Sequence, residues 1–152
     1  MRPFVERRAI HHVKLPVQHF HPRVLALMRR ANDVERIGEL VDELDRYDVM
    51  VQSHFIYGFP TETMEELSEA VAALTLRRFG QVIFLPYSNK ESVTAARLPQ
   101  IPLETMLERN RALKDLLVAS GDVVEVEHVA TNGLEELVWV RESYLTQRPA
   151  TE

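Results

Sequence analysis

HFIYGFPTET (His54–Thr63) decides the fold of this 152-residue chain. Its first half ends a run from Val49 to Tyr57 that is rich in β-branched and aromatic residues, the composition of a strand. Gly58 and Pro60 break that strand. Thr63 with Glu66 then makes a capping box, opening a helix that runs to about Arg78 on Met64, Leu67, Ala70, Val71 and Leu74. Gly80 stops the helix. A strand turning into a capped helix is most of a βαβ unit, and the flanking sequence supplies the rest.

Upstream, KLPVQ (Lys14–Gln18) belongs to a strand over His12–Val17, where Val13, Leu15 and Val17 alternate with His12, Lys14 and Pro16. A short helix fits Pro22–Arg30, with Pro22 in its first turn and LMRR (Leu27–Arg30) at its end. Asn32 with Glu35 caps a further helix, apolar along Val34, Ile37, Leu40, Val41 and Leu44 and ending near Tyr47. Downstream, Gln81–Leu85 is apolar enough for a strand covered on both faces. It leads through IFLPYS (Ile83–Ser88) into a long polar loop from Tyr87 to Gln100. Pro102 starts a last helix on Leu103, Met106, Leu107, Leu113, Leu116 and Leu117, which Gly121 ends. Val123–Val129 and Leu134–Arg141 then flank Asn132–Gly133, the signature of a β-hairpin with a type I′ turn.

Strands separated by helices of this length pair in parallel through right-handed crossovers. The expected class is α/β: a partial (β/α) barrel of about three parallel strand–helix units, with a C-terminal β-hairpin. Residues 1–11 read as an extension, 12–121 as the partial barrel, and 122–152 as the hairpin and tail. A closed (β/α)8 barrel takes roughly 250 residues, so this sheet is an arc with open edges. Those edges call for cover by more of the same polypeptide, by a partner subunit, or by the hairpin.

There is no cysteine in the sequence, which excludes disulfides, thiolate nucleophiles and cysteine-held clusters within it. The net charge of −5 gives no global attraction to nucleic acid. No apolar stretch approaches the ~20 residues of a membrane span, and the N-terminus lacks the apolar core of a secretion signal. A cytoplasmic location without membrane contact is the expectation.

Strand alternation turns Val49, Val51 and Phe55 toward the helices and places Gln52 and His54, with Lys14, on the opposite, concave face. Gln18, His19 and His21 follow in the loop after the first strand. Functional groups in βα folds gather at the carboxyl ends of the strands, and the helix starting near Thr63 points backbone N–H groups there, suited to a carboxylate or phosphate. His19, His21 and His54 have imidazoles for a divalent metal, yet His-x-His without a spaced carboxylate is weak, so no metal ligand and no catalytic residue is assigned. No Gly-x-Ser-x-Gly elbow and no Gly-rich phosphate loop occurs. Glu62, Glu65 and Glu66 read as acids favoured at a helix N-terminus.

From His12 to about Ser120 the sequence resembles the radical S-adenosylmethionine (SAM) methylthiotransferases, which place a methylthio group on a tRNA adenosine or a ribosomal-protein aspartate. LPVQ, LMRR, GFPTET and LPYS occur in the family's order, followed by the Pro-led helix. The resemblance implies a C-terminal portion of a radical-SAM transferase, inactive as this chain alone and forming one wall of the SAM and substrate site. Gln18, His54, Gly58, Thr61 and Tyr87 would lie near SAM or substrate. The 4Fe–4S cluster would be held outside this chain, by a missing N-terminal half or a partner subunit that also covers the open sheet. The substrate would be a tRNA or a protein.

Departures cluster at the ligand-facing edge. The family's Ser-Gly-Ser-Asp turn is His19-Phe20-His21-Pro22 here. Its aspartate before GFP is His54, its GFPGET carries Thr61, and the loop after Tyr87 differs from Ser88 onward. Two other functions stay open on these residues: a cysteine-free binding or scaffolding subunit, and a small metal hydrolase using His54 with His19 or His21.

Overall fold

The computed structural model describes residues 12–88 and 96–141. The extension over 1–11, part of the polar loop and the tail beyond Arg141 lie outside the described residues. The elements run β1 (His12–Lys14), α1 (Pro22–Leu27), α2 (Val34–Arg46), β2 (Met50–Tyr57), α3 (Met64–Thr75), β3 (Gln81–Pro86), α4 (Leu103–Ala119), β4 (Val123–Val129) and β5 (Glu135–Val140).

All five strands form one sheet in the order β1-β2-β3-β5-β4. The first three are parallel, in the register Lys14↔Gln52↔Gln81. β5 runs antiparallel to β3 and pairs Trp139 with Val82, so the hairpin extends the sheet at the β3 edge. It therefore covers one of the two expected open edges, leaving β1 at the other. The expected class holds as a mixed α/β sheet with three parallel strand–helix units.

Burial in β2 alternates as a strand with one covered face requires. Val51, Phe55 and Tyr57 are fully buried, whereas Gln52, His54 and Ile56 are only half-buried. Leu67, Val71 and Leu74 of α3, Leu113 and Leu117 of α4, and Val41 of α2 fill the same core, with Phe84 of β3 and Leu137 and Trp139 of β5. The Tyr57 hydroxyl donates to the Glu135 carbonyl at 2.7 Å, tying β2 to the hairpin across β3.

Several local expectations change. β1 stops at Lys14 because Pro16 has no N–H for the ladder. Ser53 fills the gap, its Oγ donating to the Leu15 carbonyl (2.6 Å) and accepting from the Val17 N–H (3.1 Å). α1 ends at Leu27, just before Arg29 turns left-handed (φ 57°). The N-cap of α2 is Asp33, not Asn32, with Asp33 Oδ1 accepting from the Arg36 N–H. α3 ends at Thr75, and Gly80 stands just before β3 rather than capping the helix, its N–H bonding the Val51 carbonyl at 2.9 Å.

β3 is covered on one face only. Val82 and Phe84 are fully buried, but Gln81, Ile83 and Leu85 alternate with them on the face without helices. The hairpin turn is also not type I′, which needs two left-handed residues. Among Asn132 and Gly133 only the glycine has positive φ (91°), and the turn closes through Gly133 N–H to Ala130 O.

Candidate functional site

A cavity of about 430 Å³ opens on the face of the sheet without helices, lined by Lys14, Pro16, Gln52, Ser53, His54, Gln81 and Ile83. Register explains the gathering. Lys14, Gln52 and Gln81 stand side by side on three parallel strands, and His54 lies two residues further toward the carboxyl edge, beside Ile83. Gln52 Nε2 donates to Gln81 Oε1 at 2.9 Å, so the amides form a short ladder across the floor. Among the described residues no carboxylate lines the cavity; the polar side chains there offer an ammonium, two amides, an imidazole and a hydroxyl, suited to a polar ligand rich in acceptors. Lys14, Gln52 and His54 thus share a surface as the alternation requires. Gln81 was missed, because the strand around it reads as a wholly apolar run.

Of the expected ligand-facing residues, His54 is the one that lines this cavity. The others sit at the carboxyl edge. Gln18 is left-handed (φ 74°) and grips β2, donating its N–H to His54 O (2.9 Å) and accepting from Ile56 N–H (2.7 Å). Gly58 is left-handed (φ 78°), a backbone that favours glycine, and a Cβ there would also have to displace the end of the Met106 side chain. Thr61 is left-handed too (φ 73°), its carbonyl and hydroxyl bonded by Arg23 at 2.8 and 3.2 Å. Tyr87 packs edge-on to Phe59 (5.3 Å between centroids) in a small cluster with Val24, away from the cavity.

The expected anion seat at the start of α3 is already filled from within. Thr63 N–H donates to Glu66 Oε1 (2.8 Å), Glu66 N–H to Thr63 Oγ1 (3.1 Å), and Glu62 N–H to Phe59 O (2.9 Å). Arg23 adds an ion pair to Glu66 through Nε and Nη2. That guanidinium, together with the Thr63 N–H, pulls the Glu66 carboxyl down to about 2. A lowered carboxylate adds stability that is present above its ordinary range near 4.5 and is lost as pH falls toward 2. Because Arg23 is nearly half exposed, the gain is on the order of 1 kcal/mol after solvent screening. Arg23→Met is expected to flatten that acid limb of a stability–pH profile while leaving the profile's shape above pH 5 unchanged.

Glu62 is the clearest correction to the sequence reading. It is not simply an acid favoured by a helix N-terminus but a buried carboxylate (2% exposed). Its Oε1 accepts from Gly58 N–H (3.0 Å) and from Arg109 Nη1 (2.9 Å), and its Oε2 meets His19 Nε2 at 2.6 Å. His19 is fully buried, tilted against Phe55 with ring centroids 4.3 Å apart. Its Nδ1 accepts from the His21 N–H (3.1 Å), so Nε2 carries the proton and donates to Glu62.

The histidines do not converge. His19 lies among the helices, His54 faces the cavity on the other side of β2, and His21 caps α1 and meets Glu69 (3.1 Å). The sheet thus does not bring His54 together with His19 or His21, as a shared metal site would need.

No protein-family model matches the chain. Over 124 residues, 80% of its length, it is 32% identical to tRNA-2-methylthio-N(6)-dimethylallyladenosine synthase from Francisella tularensis subsp. novicida, and equally to that from subsp. holarctica. Its sequence is thus similar to those synthases over most of its length. It spans 28% of the length of those relatives. Coproporphyrinogen III oxidase from Escherichia coli, a radical SAM enzyme, superimposes with a TM-score of 0.69 over 89% of this chain and 31% of its own, at 17% identity. The chain therefore shares its fold with about a third of that enzyme. Among the described residues, no helix is long and apolar enough to cross a membrane.

Proposed function

We propose that this chain is the C-terminal portion of a methylthiotransferase-like radical-SAM enzyme, and that its concave face is one wall of the site where SAM and substrate meet. The observation that carries the reading is the cavity at Lys14, Gln52, His54 and Gln81, with no carboxylate among the described residues that line it, on the inner face of a sheet whose fold is shared with a radical SAM enzyme. The 4Fe–4S cluster does not fit this chain, which has no cysteine to hold iron. SAM fits better: an ammonium, an imidazole and two amides match a ligand carrying a carboxylate and ribose hydroxyls. SAM when bound would supply the radical chemistry. Lys14 and His54 would hold its anionic end, and the Gln52–Gln81 ladder would orient it.

The rest of the enzyme, covalent or as a partner subunit, would cover the concave face and the β1 edge. The substrate would be a tRNA adenosine or a protein side chain. A cysteine-free scaffolding subunit is the second reading, favoured by the absence of cysteine alone.

The test is titration of the isotope-labelled full chain with S-adenosylhomocysteine, followed by NMR. Saturable shifts are expected at the His54 ring and at the Gln52 and Gln81 side-chain amides. His54→Ala should weaken binding about tenfold, equivalent to ~1.4 kcal/mol. No response at these groups up to millimolar ligand would sink the assignment and leave the scaffold.

A further inference from the structure

We propose that His19, Glu62 and Arg109 are positioning residues, a buried network that holds the two left-handed turns at Gln18 and Thr61 and so sets the shape of the sheet's carboxyl edge. Each left-handed residue stands immediately before a network member: Gln18 before His19, and Thr61 before Glu62. A left-handed conformation at a non-glycine residue costs roughly 1–2 kcal/mol and persists only where its surroundings over-determine it. Here each turn sends the next side chain inward, to a fixed partner.

The Glu62 carboxylate has three donors on three segments: Gly58 N–H in its own turn, His19 Nε2 in the loop after β1, and Arg109 Nη1 on α4. From His19 the bonds continue to the His21 N–H. Gln18, locked beside His19, bonds β2 at His54 and Ile56 on either side of Phe55. The network is thereby connected to the stretch of strand that carries His54 into the cavity.

Stability alone is a poor reason for it. Buried ion pairs are often matched or bettered by apolar residues of similar volume, and Arg109 Nε is buried without a hydrogen-bond partner among the described residues. What the network supplies is a unique arrangement of the edge. That the edge meets a ligand rests on the function proposed above; that the network fixes its geometry does not.

Hydrogen exchange by NMR on the full chain separates a local hold from general stability. In His19→Phe, which keeps a ring against Phe55 but donates nothing to Glu62, the Gly58 and Gln18 amides should exchange at least about tenfold faster. Phe84 in the core strand should stay within about threefold. His19→Gln, which restores an N–H donor toward Glu62, should bring Gly58 back toward the wild-type rate. Unchanged Gly58 exchange in His19→Phe, or a proportional rise at Phe84, would overturn the proposal.

Should His19→Phe fail to fold, the wild-type His19 ring nitrogens decide. A neutral ring protonated on Nε2 supports the network, and protonation on Nδ1 rejects it. The expected exchange pattern without any response to S-adenosylhomocysteine would support the positioning role while rejecting the SAM site.

Discussion

Arg109→Met is expected to remove about 3–5 kcal/mol of folding stability, read from urea unfolding of the full chain, because it strands a charged Glu62 in the interior. Both side chains are almost entirely inaccessible, at 8% for Arg109 and 0% for Glu62, so water cannot replace the lost partner without opening the packing. Set against a typical total of about 5–15 kcal/mol, this places the variant near the edge of folding at room temperature. The double replacement Glu62→Leu with Arg109→Met should recover much of the loss, since it leaves no buried charge behind. The difference between single and double variants is the useful number. A loss under about 1 kcal/mol in Arg109→Met would mean that Glu62 finds other compensation, and the network would then lack the rigidity inferred for it.

The difficulty of reading this network in advance is physical. Glu62, Glu65 and Glu66 stand together at the start of one helix, and local pattern gives all three the same meaning. Their fates are set by residues far away in sequence, His19 and Arg109 for Glu62, and Arg23 for Glu66. Local signals did identify what is locally determined. The Thr63–Glu66 capping box forms as the spacing requires, because both partners lie within one turn. The two-residue alternation likewise separates Val51 and Phe55 from Gln52 and His54. Alternation cannot reveal that β3 has an uncovered face, and a run of apolar letters hides Gln81, whose role depends on its register with Gln52. Nor does a hairpin's sequence say which strand it will join. That β5 docks on β3 is a property of the whole sheet.

That docking leads to the second large effect. Trp139→Ala is expected to cost about 3–5 kcal/mol, the range for deleting a buried large aromatic. Trp139 is fully buried between Val82 of β3 and Val124 of β4 in the ladder, its Nε1 donates to Ser120 Oγ at 3.3 Å, and Arg141 lies 5.5 Å over its ring. A hairpin merely appended to a finished barrel would lose far less, since the parallel strands would keep their own core. Trp139 is also the sole tryptophan in the chain, so its fluorescence reports the hairpin while far-UV circular dichroism reports mainly the helices. In the wild-type chain the two signals should change together with denaturant, as one cooperative unit. Trp139→Ala should shift the helical transition to lower denaturant by the full amount. If fluorescence instead moved first in the wild type and the helices outlasted it, residues beyond Gly121 would be a separable unit, and the β3 edge would be free for another strand to take.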